Sequence, residues 1–141
     1  MLITVQTRLR NPENWPDQLR EATDVIQRES RSSDAVVWLP TNRRALAVVY
    51  PHGFGGLRDI TLAISPIKAE NFGGVEVSPS SISIGLNDPA VTRVWLVDGE
   101  IPWRGPSLDS LNLSKINSLE RKFRRIGFWW FNSLSLTLYE K

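Results

Sequence analysis

The chain of 141 residues contains no cysteine. That excludes disulfides, thiolate chemistry and cysteine-ligated zinc, and it fits a cytoplasmic protein. There is one histidine, so any imidazole general base must be His52. No apolar run approaches the ~20 residues of a membrane-spanning helix. The start, Met1 to Arg10, has neither the basic region nor the apolar region of a signal peptide. Internal repeats and low-complexity segments are also missing, and the spacing of acidic residues matches no calcium loop. The formal charge is only +2, too small to name a partner class by itself.

What is present is tryptophan and arginine. Six tryptophans and thirteen arginines are a high load for a chain of this length. The basic excess sits at the end: residues 113–141 carry six basic and two acidic groups, whereas 71–112 carry two and five. Arginine suits bidentate contacts with carboxylate or phosphate. A chain of this size forms one domain, here 1–141, and buries about two-thirds of its unfolded surface.

The C-terminal run organises the rest. Ile116, Leu119, Phe123 and Ile126 share a helical stripe, with Ser114 as N-cap and Gly127 as the residue that ends the helix. Lys115, Arg121, Lys122, Arg124 and Arg125 fall on the opposite arc. After Gly127 the period changes to two, which predicts one long strand over 128–139. In that strand Phe128, Trp130 and the leucines share one parity; Trp129 and Phe131, on the other, make the first half apolar on both faces and so covered on both sides, with Trp129 second to Trp103 as a candidate exposed aromatic.

Near the start, Leu2 to Leu9 alternates as a strand. A helix from Asn14 to about Ser30 buries Trp15, Leu19, Ala22 and Ile26. Short strands are expected at 35–39, 45–50, 60–64, 75–77, 82–84 and 91–97, with Asp98-Gly99 turning a hairpin toward Trp103. The fold class is therefore α+β. An antiparallel or mixed sheet of about six to eight short strands carries two helices packed on one face, and the N-terminal and C-terminal strands can pair.

No catalytic constellation is visible. Pro51-His52-Gly53-Phe54-Gly55-Gly56 is the most pointed loop, but it matches neither phosphate-binding fingerprint and reads as a wide turn. The serines form no nucleophile elbow. No cofactor, metal or catalytic residue is assigned, and the protein is not expected to be an enzyme. His52 and Phe54 mark the loop as a second place to look.

The leading expectation is a non-catalytic module that docks on a protein through Trp103, Arg104, Arg121, Arg124 and Arg125. The order of elements resembles, at that level only, small bacterial binding proteins, among them immunity proteins that neutralise a toxin. An immunity or inhibitor role is the specific form. The alternative is RNA or single-stranded DNA binding, with arginines (Arg43 and Arg44 included) on phosphate and an exposed tryptophan or Phe54 stacking on a base. A strand-rich edge also permits a homodimer.

Overall fold

The computed structural model describes residues 4–7, 15–39, 41–71, 73–99, 110–131 and 134–141. The fold is α+β. Its main sheet is mixed and six-stranded, in the order β1-β7-β8-β6-β2-β3, and β4 and β5 form a separate two-stranded ribbon. The strands are β1 (Thr4–Thr7), β2 (Ala35–Leu39), β3 (Arg58–Asp59), β4 (Leu62–Ile64), β5 (Val75–Glu76), β6 (Arg93–Asp98), β7 (Arg124–Phe131) and β8 (Leu134–Glu140). The helices are α1 (Trp15–Glu29), α2 (Ala45–Val49), α3 (Pro66–Ala69), α4 (Pro79–Asn87) and α5 (Ser110–Lys122).

The sheet is covered on both faces, which corrects the expectation of two helices on one face. On the first face, Ala22, Val25 and Ile26 of α1 pack on Trp38, Trp95, Trp129 and Leu136. On the second, Ile82 and Leu86 of α4, Leu119 of α5 and Phe123 just beyond it pack on Val37, Val94 and Leu96. Every residue of β2 is buried, as a strand covered on both sides requires.

The C-terminal run departs from its expected form in two ways. The helix ends at Lys122, so Arg124 and Arg125 open a strand instead of lining a helix. Gly127 then sits inside β7, beside an irregularity in the pairing between Arg125 and Gly127. A Cβ there would stand 2.6 Å from the Trp129 indole, so the glycine serves close approach rather than helix termination. The expected single strand over 128–139 is a hairpin of β7 and β8, whose link at 132–133 lies outside the described residues.

The hairpin reverses the expected facing. Phe131 pairs with Leu134 and Trp129 with Leu136. Odd positions of β7 therefore share a face with even positions of β8. Trp129 is buried against Trp95, with ring centroids 5.4 Å apart, and is not an exposed contact. Phe128 and Trp130 are only half-buried. The N-terminal strand does pair with the C-terminal region: β1 runs parallel to β7, with Thr4 opposite Gly127 and Thr7 opposite Trp130.

Two expected strands are helices. Over 45–50, Leu46, Ala47 and Tyr50 pack against the first core, a helical spacing that leaves Val48 and Val49 outside. Over 79–87, Pro79 stands in the first turn after extended Ser78, and the buried pair is Ile82 and Leu86, four apart. The return strand of the hairpin expected at Asp98-Gly99, Glu100 to Trp103, lies outside the described residues. β6 already has β2 on one side and β8 on the other, with Asp98 opposite both Leu39 and Ser135.

Candidate functional site

The candidate site lies where the ribbon and α3 meet α2. After β2 the chain tightens into a 3₁₀ turn, Thr41–Arg44, which carries the Arg44 guanidinium inward, where it is buried. All five of its N–H groups have acceptors. Nε donates to Asp59 Oδ2, and Nη2 to Asp59 Oδ1 and Thr61 Oγ1 at 3.1 and 2.9 Å. Nη1 donates to the Gly73 carbonyl and to Glu76 Oε1. Asp59 also accepts the Trp38 indole N–H at 3.1 Å.

Lys115 of α5 completes the cluster. Its Nζ donates to Glu76 Oε1 at 2.7 Å and to the Trp38 carbonyl at 2.6 Å, and the side chain is fully buried. Burial pushes the amine below its ordinary range, and Glu76 opposes that shift. Two cations and two carboxylates balance, with their charges joining the 3₁₀ turn, β3, β5 and α5. The arrangement is a clasp that seats the ribbon on the sheet. Arg44 and Asp59 are committed to hydrogen bonds within it.

Two spaces lie between α2 and the seated ribbon. The outer is a groove of about 400 Å³ lined by Ala45, Val48 and Val49 of α2 and by Pro66, Ile67, Glu70 and Asn71. Its rim is aliphatic and open: Val48, Val49 and Ile67 are 52%, 65% and 77% exposed. The inner is a cavity of about 140 Å³ with Trp38, Phe54, Leu57 and Leu62 among its walls. Val48 and Pro66 line both.

The residues expected to carry function are scattered around this site. Trp103 and Arg104 lie outside the described residues. Arg121 and Arg124 are exposed, with no side-chain partner among the described residues. Arg125 is exposed but donates to Glu120 at 2.6 Å. Lys122 is tied to Ser83 and Asn87, and Lys115 is in the clasp, so the expected basic arc is not one continuous surface. Arg44 is buried and Arg43 donates to the Gly99 carbonyl, which removes Arg44 from any phosphate contact. His52 is exposed, and its carbonyl accepts from Gln27. Phe54 is buried against Trp38 at 5.7 Å and is unavailable for base stacking. Among the described residues no group of acidic or histidine side chains could hold a metal, and no helix is long and apolar enough to cross a membrane.

Sequence reasoning missed the groove because 45–50 was read as a strand. The usable signal was Leu46, Ala47 and Tyr50 at helical spacing. Comparison with family models, curated proteins and solved structures found no match to this chain.

Beside the arginine strip, the buried Tyr139 hydroxyl donates to Glu120 at 3.1 Å. Burial, reinforced by the Glu120 charge, pushes the phenol well above its ordinary range. The folded state therefore keeps a proton that the unfolded chain loses above about pH 10. Holding more protons when folded makes stability fall as pH rises. Tyr139→Phe should remove that alkaline loss, which urea unfolding at pH 9 and pH 11 would detect. Equal pH slopes in the two proteins would show that Tyr139 does not titrate with unfolding.

Proposed function

We propose that this protein is a non-catalytic docking module whose partner is another protein, held in the groove between α2 and α3. The observation that carries this reading is the open aliphatic rim of Val48, Val49 and Ile67. Exposed apolar side chains gathered around a concavity are costly unless something covers them. In its specific form the module occupies the surface of a toxin or enzyme, as an immunity or inhibitor protein does, and needs no reactive group of its own. A chain without cysteine suits a reducing cytoplasm, and we place it there.

Nucleic-acid binding is the weaker reading. With Lys115 buried, Lys122 tied down and Arg125 paired, Arg121 and Arg124 are the exposed cations left on the strip. Two phosphate contacts to a single strand give a salt slope of only about −1.4.

The test is affinity capture with nuclease treatment, followed by reconstitution with the purified captured protein. Burying one aliphatic side chain contributes about 1.5–3 kcal/mol. Ile67→Asp should therefore weaken the complex by about ten- to a hundredfold. Arg124→Glu should change affinity only a few-fold. Ile67 is too exposed for the substitution to unfold the chain. A complex indifferent to Ile67→Asp, or recovery of nucleic acid alone, would overturn the proposal.

A further inference from the structure

The ribbon and α3 are joined to the rest of the chain by polar contacts rather than by the core. Ile60 packs against the second core at one end of this stretch, and Val77 does so at the other. Between them, among the described residues, no side chain from Thr61 to Glu76 belongs to either core. Leu62 and Pro66 from the stretch, and Trp38, Ala47 and Phe54 from the body, are instead walls of the cavity of about 140 Å³. A void there forfeits the dispersion contacts that close packing would supply.

What fastens the stretch is the clasp. Arg44 donates to the Gly73 carbonyl and to Glu76, and Lys115 donates to Glu76. Breaking these bonds strands no charge. Arg44 keeps Asp59 and Thr61, Lys115 keeps the Trp38 carbonyl, and water takes up the rest. The stretch also bonds to itself. The Val77 amide donates to the Thr61 carbonyl at 2.9 Å, which holds the two ends together. The Ser65 and Asn71 side chains accept from Lys68 and from Gly73 and Gly74, on either side of α3. A surface segment whose ends meet and whose backbone is bonded within itself separates as one unit.

We infer that residues 62–71 and 73–76 form a latched flap, which swings from the sheet on the Thr61–Val77 pair while the sheet stays folded. Pro66, Ile67, Glu70 and Asn71 of the groove lie on the flap, whereas Ala45, Val48 and Val49 lie on α2, so only the closed flap presents both walls. A partner that spans them selects the closed state. That link rests on the docking reading, but the opening does not.

Lys115 reports the opening, because its amine is fully buried under Glu76. Acetic anhydride given to the full-length protein, with each lysine followed by mass spectrometry, should modify exposed Lys68 and Lys141 first and Lys115 slowly. Ile26→Val in the core of α1 should speed hydrogen exchange of the β6 amides about two- to tenfold and leave Lys115 labelling unchanged. Glu76→Gln weakens two charge-assisted bonds and should speed Lys115 labelling about tenfold or more. The partner captured through the groove, at about a hundred times its Kd, should slow that labelling about a hundredfold.

Lys115 labelling that rises with β6 exchange in Ile26→Val would mean that the amine is reached only by global unfolding, and would overturn the flap. Labelling indifferent to Glu76→Gln would overturn the clasp as its latch. A bound partner that leaves labelling unchanged would overturn the coupling to docking. Sub-global opening beside a complex indifferent to Ile67→Asp would sink the docking reading and leave the flap standing.

Discussion

Replacing Asp34 by alanine should destabilise the protein by about 3–5 kcal/mol, the range for breaking a buried ion pair from one side. Asp34 is buried at the entry to β2 and accepts four hydrogen bonds. Arg93 donates from Nε and Nη2 at 3.1 and 3.3 Å, Trp95 from its indole at 2.9 Å, and Arg31 from its amide at 2.9 Å. Alanine leaves the buried Arg93 charge with the Glu29 carbonyl, at 2.9 Å, and leaves the Trp95 N–H unpaired in the core. Each deficit is costly in a water-excluded site, and they overlap rather than add. A domain of this size has only about 5–15 kcal/mol in total, so the variant should unfold at a markedly lower urea midpoint than the wild type. Asp34→Asn keeps an acceptor but not the charge, and should fall between. A midpoint displaced by less than about 1 kcal/mol at unchanged slope would show that the Arg93 pair is solvated.

Asp34 also marks how far the sequence was legible. Trp38 and Trp95 stand inside apolar runs, and both are core residues. The first helix, β2, β6 and the pairing of the two ends were readable because each rests on a local period or on a run too apolar to face water. The failures were segments whose structure is decided from outside. Ala45 to Val49 and Pro79 to Asn87 are short and rich in branched residues, so propensity suggests strand. The cores they meet select a helix. The β7–β8 hairpin was hidden because Asn132-Ser133 interrupts an alternation otherwise long enough for one strand.

The candidate site was less legible still. Charge on a helix reads as a solvated face, and for Arg121 that holds. Lys115 lies on the buried side because its acceptors come from Trp38 and Glu76, far away in sequence. Arg44 is drawn inward by Asp59, Thr61 and Glu76 in the same way. No spacing rule links these positions. The groove depends on them in turn, since the ribbon carrying α3 is seated by the clasp. Phe54 was singled out for stacking, and the ring it meets is Trp38 rather than a base.

The clasp gives the second large effect. Glu76→Ala should cost about 3–5 kcal/mol near neutral pH, because the Lys115 ammonium would keep only the Trp38 carbonyl, while Arg44 keeps Asp59. The loss should depend on pH in a defined direction. Burial already lowers the Lys115 amine and Glu76 opposes that shift; removing Glu76 lowers it further. Between that folded value and the ordinary one of about 10.4, the unfolded chain holds a proton that the folded chain does not. Stability must then rise with pH through the window. Glu76→Ala should recover part of its loss between pH 7 and pH 9.5, below the range where Tyr139 contributes. Adding Lys115→Met removes the orphaned charge and fills the space with methylene and sulfur. The double variant should be more stable than Glu76→Ala alone and lose its pH slope. Losses that simply add, with the slope unchanged, would mean that Lys115 reaches water once Glu76 is gone. The ribbon would then be seated by Arg44 alone, and the groove should keep its shape in Glu76→Ala.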